Sequence, residues 1–430
     1  MRTIIVVIFT LLAFSESIAQ LGWILQNSRT TNNLNSISTF DGINAVAIGD
    51  KGTVTTTGNE GRPSWNGQQN ITKSRLFGVT SISARILLAV GGRDTVYRSI
   101  DRGVTWAAIR SKVRGECWTI DNISRLTSID FDSSSGLAVA VGDGREAIFS
   151  EDSGTYWEER LPIMQPGSDV SNLRCVSLCK GNVLASGTPL ALSSNTSQYM
   201  LTTNQGDDWL VNTTDAQGLG SVIGATFFGC DLKTWILVGS NGVILHSKNH
   251  GLTWDLILSG TTVNLNAVRF APDSLYGYIA GDSGVILMSN DGGYNWSREY
   301  PPTKHNLRGV ALVDPFHVYI CGDSGTILWT QDGGFSGIRP SSNEVATDIR
   351  TYPNPVSSKT TLQIFLAQRR HVTISVFNVL GAKIATVADD VYAEGPHNFE
   401  WNASDMPEGV YFCRLESEGQ HFFSQIIVAR

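Results

Sequence analysis

Three observations predict an all-β chain, a seven-bladed β-propeller followed by a small Ig-like β-sandwich. Glycine is abundant, 43 of 430 residues, and the stretches between glycines are rich in Val, Ile, Thr and Ser, as in short strands joined by tight turns. A hairpin phrase ending on Trp recurs every 40 to 50 residues or so, roughly the period of propeller blades. After Gly337 the phrase stops and longer alternating strands begin.

The first element is a leader. Residues 1–20 read MRTIIVVIFTLLAFSESIAQ, with Arg2 as a minimal positive region, an apolar run from Ile4 to Phe14, and small residues at Ser17 and Ala19. This is the pattern of a signal peptide over 1–19, cleaved before Gln20. No later stretch approaches the ~18 apolar residues that a spanning helix needs, so no transmembrane segment is expected in the mature chain. The formal charge of −7 leaves no basic footprint, which argues against nucleic acid as a partner.

The repeat comes next. The phrases end at Trp65, Trp106, Trp157, Trp209, Trp254 and Trp296, and a seventh, TQDGGFSG at 330–337, has lost its Trp. Upstream of each is an apolar strand entering a glycine turn, as in AIGDKGTV at 47–54 and ICGDSGTIL at 320–328. Further upstream lies an inner strand with a recurring start, such as LNSIST, LTSIDF, LRCVSL and LRGVAL. Each unit therefore supplies four antiparallel strands, one blade. The last unit lacks an outer strand, whereas QLGWILQNS at 20–28 has a Trp and a strand but no preceding phrase. Residues 21–27 are expected to complete the seventh blade, with Trp23 in the place of Trp106, leaving no open seam.

The phrase resembles the Asp-box, or BNR repeat, most clearly in Ser99-Ile100-Asp101-Arg102-Gly103-Val104-Thr105-Trp106. Ser99 and Asp101 are expected to accept hydrogen bonds from backbone N–H groups of the turn, Gly103 to adopt the left-handed conformation, and Trp106 to wedge between blades. Asp152, Asp291, Asp332, Trp157, Trp209, Trp254 and Trp296 take the same structural parts. Asn204 and Asn249 replace the Asp in two copies, which a turn tolerates and a general acid does not.

The tail follows a polar linker, 338–350. Residues 351–430 resemble the type A C-terminal sorting domain of the type IX secretion system. Tyr352-Pro353-Asn354-Pro355 matches its opening motif, VFNVLGAKI at 376–384 its central hairpin, and MPEGVYFCRLESEGQHFFSQIIVAR at 406–430 its closing strand pair. Gly409 permits the turn before the strand of Tyr411. The resemblance implies a Bacteroidetes-type bacterium and the type IX machinery as partner. It further implies Sec export, passage across the outer membrane, removal of the tail, and a secreted or outer-surface location.

Residues 20–337 resemble the propellers of the photosystem II stability and assembly factor family, through the phrase AVGxxGxIxxSxDGGxTW. That resemblance implies a non-catalytic propeller with a protein partner. Arg174, Arg308, Asn266 and Asn35 follow the Leu that opens an inner strand, and Arg75 and Arg125 sit two residues earlier; together they are placed at one mouth of the channel. An unknown protein or glycan is the expected ligand, and no cofactor or metal is expected. Three insertions mark a further candidate face: 109–124, 162–172 and 188–199. They need not share one surface. Trp118, Arg114 and Tyr199 are its candidate contacts, since loops carry function more often than scaffold. A surface adhesin or glycan-binding propeller is the alternative.

A glycosidase is the weaker rival. Asp-boxes also occur in sialidases, but RLP at 160–162 and IRP at 338–340 are not in the early position that a sialidase signature requires. The adjacent carboxylates Glu158-Glu159 and Asp207-Asp208 point to opposite strand faces and make poor acid–base pairs. Cys175 and Cys179 lie on one strand with Cα atoms roughly 13 Å apart, beyond disulfide reach. The pairing of the six cysteines is left open.

Overall fold

The computed structural model describes residues 22–429, except 63, 68, 93–94, 111–124, 145, 161–169, 190–197, 214–221, 229–232, 273–274, 335–348, 353, 367–368, 380, 394 and 418–419. Seven four-stranded antiparallel sheets follow one another along the chain. Their inner strands are Leu34–Thr39, Leu76–Ser81, Leu126–Asp132, Val170–Cys179, Val222–Phe228, Leu265–Phe270 and Leu307–Leu312, opening the first to seventh blades in that order. The seven-bladed propeller is the fold.

The blade pattern follows from burial. Second and third strands are covered by neighbouring blades on both faces, so they read as continuous apolar runs; Ala45–Gly49 and Ile327–Thr330 are buried at every position. Most inner strands instead mix buried with half-buried positions, as in Leu34–Thr39, where Leu34 and Ile37 are buried and the rest half-buried, because one face looks into the channel.

The ring closes by the expected clasp. Ile24–Leu25 pairs antiparallel with Ile327–Thr330, Ile24 opposite Trp329 and Leu25 opposite Leu328. The Gly22 N–H donates to Asp332 Oδ2 at 3.0 Å, and Trp23, 3% exposed, lies edge-on to Tyr278 of the sixth blade at 6.1 Å. The ends of the wheel are thus held by sheet hydrogen bonds and a buried indole.

Alternating strand direction sorts the loops onto two faces. Turns between first and second strands, and the box hairpins between third and fourth, lie on one face. Turns between second and third strands, and links to the next blade, lie on the other. We call the second the turn face; the inner strands begin there.

The tail is a sandwich of a three-stranded sheet, with Lys359–Leu366 between Ile349–Tyr352 and Gly395–Asn402, and a four-stranded sheet built around Arg370–Asn378 and Gly409–Ser417. Its core includes Leu362, Ile374, Val376, Trp401 and Leu415. The first strand begins at Ile349, two residues inside the segment read from sequence as linker. Asn354 ties the opening to the closing strand, its Oδ1 accepting from the Ile427 N–H at 2.7 Å. Pro355 follows through a cis peptide, and Pro353 lies outside the described residues. Gly409 has φ 151°, and Tyr411 is buried with its hydroxyl donating to the Pro407 carbonyl at 2.9 Å. The sandwich touches the box face of the propeller, where the Tyr276 hydroxyl donates to the Thr351 carbonyl at 2.7 Å. No helix among the described residues is long and apolar enough to cross a membrane.

Candidate functional site

The box residues are consumed by their own turns. In the second blade the Ser99 hydroxyl accepts from the Gly103 N–H at 2.9 Å, and Asp101 Oδ1 accepts from the Thr105 N–H at 2.8 Å. Arg102 and Gly103 are both left-handed, with φ 65° and 84°. The Trp106 indole N–H closes the motif on the Gly103 carbonyl at 3.1 Å. The same bonds recur at Ser150, Asp152 and Trp157 and at Ser289, Asp291 and Trp296. Asn204 and Asn249 accept the equivalent N–H bonds in the fourth and fifth blades. The Thr105 hydroxyl, donating to Asp101 Oδ2 at 2.6 Å, and the Thr105 N–H together outweigh desolvation and hold the Asp101 carboxyl down to about 2. A carboxylate so depressed and so committed holds no proton near neutrality for acid catalysis.

The indoles gain neighbours that sequence reasoning missed. Trp65 meets Tyr319 of the seventh blade, Trp209 meets Phe149 of the third, and Trp254 meets Tyr199 of the fourth, all edge-on at 5.6 to 6.1 Å. Tyr199 is therefore a correction. It sits in the strand Gln198–Thr202, is 1% exposed, and donates its hydroxyl to the Gly251 carbonyl at 2.7 Å. It is interblade core and offers nothing to a ligand. Trp118 and Arg114 lie outside the described residues.

The turn face behaves differently. In four blades the residue after the opening Leu meets the turn of its own or the preceding blade. Arg308 Nε and Nη2 bond Asp323 at 2.5 and 3.2 Å. Asn266 Nδ2 donates to Asp282 Oδ1 and to the Leu307 carbonyl of the next blade, both at 2.8 Å. Asn35 repeats this with Asp50 and Leu76, at 3.1 and 2.8 Å. Arg174 reaches Asp143 of the third blade at 3.2 Å, and that carboxylate also holds Arg125 at 2.5 Å; Arg75 holds Asp50 likewise.

A second ladder stitches blade to blade. Asn33, Asn264 and Asn306 accept through Oδ1 from turn N–H groups of Ser324, Asn241 and Ser283 in the preceding blade, at 3.0 to 3.4 Å. The acidic residue of the G-D-x-G turn, left without a role by the sequence reading, is the partner of these side chains.

The electrostatics match the geometry. The bond to Asp323 raises the Arg308 pKa against the opposing effect of burial, and Asp282 and Asp50 add to the rise, so carboxylates of three blades converge on this guanidinium. Asp50 is held below the usual carboxylate range: burial works against it, and hydrogen bonds from Arg75 and Asn35 outweigh that. Deeper in the channel Arg269 of the sixth blade reaches across to Asp130 of the third at 3.4 Å. The mouth is thus a partly exposed ring of paired Arg, Asp and Asn above a barred channel.

The described strand ends that flank the three insertions lie at this face. The strand ends flanking 111–124, Arg110 and Leu126, belong to a link between blades, as do Glu159 and Val170 flanking 161–169. Pro189 and Gln198, flanking 190–197, belong to a second-to-third-strand turn. Links and such turns share a face because strand directions alternate, so the flanking strand ends share it; the insertions themselves lie outside the described residues.

Cys179 is disulfide-bonded and Cys175 is free, so the two do not pair with each other. Burial pushes the Cys175 thiol up to about 11. Glu158 lies near Arg160 at 3.6 Å, and Asp208 accepts from Asn204 Nδ2 at 3.1 Å. Among the described residues no three His, Cys, Asp or Glu side chains group as a metal site would need.

Comparison with known proteins agrees with the two parts. Residues 350–429 match the secretion system C-terminal sorting domain family. The propeller is similar in structure to YCF48 bound to D1 peptide, with TM-score 0.56 and 18% identity over 72% of this chain and 96% of that one. It is equally similar to YCF48 from Cyanidioschyzon merolae, with TM-score 0.55 and 18% identity over 72% and 99%. At that identity the likeness is one of fold. No curated protein sequence matches the chain.

Proposed function

We propose that the chain is an exported, non-catalytic recognition or assembly module whose propeller, residues 20–337, engages a protein partner across its turn face. The leader 1–19 delivers it to the first membrane, and the tail 351–430, joined through 338–350, delivers it through the type IX machinery to the outer surface or the medium. The observation that carries the reading is the division of polar groups between the faces. Box side chains are spent on their own turns, apart from Asp332, which also accepts from the Gly22 N–H at the clasp. The Arg, Asp and Asn ring at the mouth is partly exposed and joins blades, and the strand ends flanking all three insertions adjoin that face. A propeller of this fold holding a peptide, as in YCF48 bound to D1 peptide, supports the same use of the fold.

The test is capture from the native cell envelope with the full chain and with the Arg174→Ala/Arg308→Ala variant as baits. One abundant protein retained by the first and lost with the second supports the reading. Retention of that protein by both baits removes the mouth as the site. Turnover of a sugar substrate establishes the glycosidase instead.

A further inference from the structure

The sixth blade breaks the repeat where it leaves for the seventh. In the fifth blade the corresponding link is Ser259-Gly260-Thr261, and the Ser259 hydroxyl caps it, bonding the Thr261 carbonyl at 3.2 Å. In the clasp, Ser28 does the same for Thr30 at 3.2 Å. After the sixth blade the link reads Tyr300-Pro301-Pro302-Thr303, with Pro301 where Ser259 stands in the fifth. The Gly284 turn still packs against the Thr303 carbonyl, as Gly242 does against that of Thr261, so the scaffold contact survives the change. What the substitution adds is surface. A groove of about 510 Å³ opens between the Ser283-Gly284 turn and this link, lined further by Arg298, Tyr300 and Lys304.

The groove's chemistry is unlike that of the mouth. Arg75, Arg125, Arg174 and Arg308 are each paired with an Asp. Arg298 and Lys304 are exposed and have no carboxylate partner among the described residues. Glu299 also borders the groove but is buried and held by another group of the protein. Tyr300 is 42% exposed, and two prolines stiffen the floor beside it, which lowers the entropic cost of presenting its ring. A partly exposed Tyr beside two cations that have no carboxylate partner among the described residues is complementary to a sugar ring carrying an acid group. The cations meet the acid, and the ring stacks on the sugar's C–H face. The groove volume suits a ligand of one or two rings. The strand at its edge, Ser297–Glu299, has three residues, too short to add a peptide strand.

We infer that the Tyr300-Pro301-Pro302 groove of the sixth blade binds an acidic saccharide, a uronate- or sulfate-bearing sugar, with Arg298 and Lys304 holding the acid group. The site adjoins the mouth, since the Ser283-Gly284 turn follows Asp282, but it uses none of the mouth's paired side chains and does not rest on the protein partner proposed there. It lies on the turn face, and the tail lies against the box face, so the full chain presents it.

The experiment is titration calorimetry of the full chain with tri-galacturonic acid, its methyl ester, and an Asp/Glu-rich peptide of equal charge. The acid oligosaccharide binds, the ester binds at least about tenfold more weakly, and Arg298→Ala or Lys304→Ala costs about tenfold, the scale of one charge-assisted hydrogen bond. Tyr300→Ala costs several-fold through lost stacking. Lys73→Ala, an exposed cation in the link leaving the first blade, changes nothing. Equal or tighter binding of the peptide, binding indifferent to the three groove variants, or no binding of the acid sugar would each overturn the proposal. All variants are surface changes, and unchanged melting temperatures confirm that they fold.

Discussion

The two faces of the propeller use the same polar residue types for opposite purposes. On the box face, Ser99 and Asp101 bond to groups no more than four residues away, and the boxes ending at Trp157 and Trp296 repeat the pattern with their own residues. On the turn face, Asn35 and Asn266 reach carbonyls 41 residues along the chain, in the next blade. Local bonds hold a hairpin with groups of its own turn. Bonds between blades depend on the closed ring and keep charged groups at an accessible rim.

The largest break in this comparison is at the clasp, where box geometry and ring closure coincide. Trp23→Ala removes a buried indole from the sixth–seventh blade seam and is expected to cost about 3–5 kcal/mol, read as a lowered denaturant midpoint.

Acid supplies the next effect. His246 is fully buried in the third strand of the fifth blade, edge-on to Tyr294 at 4.5 Å. Burial, aided by Lys248, pushes its pKa from 6.5 down to about 4. Between those values the unfolded chain binds the proton and the folded chain does not. The stabilisation is complete above about pH 6.5 and is lost as pH falls toward 4, roughly 3 kcal/mol in all. Equilibrium unfolding across that window reads it, and His246→Leu should flatten this slope while leaving the steeper loss below pH 4, where depressed carboxylates such as Asp101 protonate.

A smaller effect sharpens the contrast between faces. Ser150→Ala strips the buried Gly154 N–H of its acceptor and is expected to cost about 1–2 kcal/mol with partner binding unchanged. Smallest in stability is Arg308→Ala, a half-exposed ion pair worth about 1 kcal/mol or less, whose effect should appear in partner affinity. The reverse outcome, with Ser150→Ala weakening binding and Arg308→Ala leaving it intact, would exchange the roles assigned to the faces.

Much of the fold was legible because the repeat is written in residues whose conformational demands are local. Gly103 must be left-handed and Ser99 must cap it, whatever surrounds them. The clasp was legible because the missing outer strand and the surplus Trp23 complement each other. The site was less legible. Arg174 and Arg308 were placed at the mouth by their offset from the opening Leu, but nothing in the linear pattern showed that the turn Asp residues would pair with them. Tyr199 was misplaced because an interrupted glycine turn looks like loop, whereas the strand runs on and buries the ring. The Tyr300-Pro301-Pro302 link drew no notice, since one departure from a loosely kept linker carries no periodic signal.

By itself, then, the order of residues determined the number of sheets, the geometry of every box hairpin and the means of closure, since each depends on backbone preferences and on a burial period of one blade. Only the assembled wheel decided which polar groups were spent and which remained free. Whether Arg308 meets Asp323, whether Arg269 bars the channel, or whether Arg298 and Lys304 go unpaired depends on distances between segments far apart in the chain, and closing the ring sets those distances.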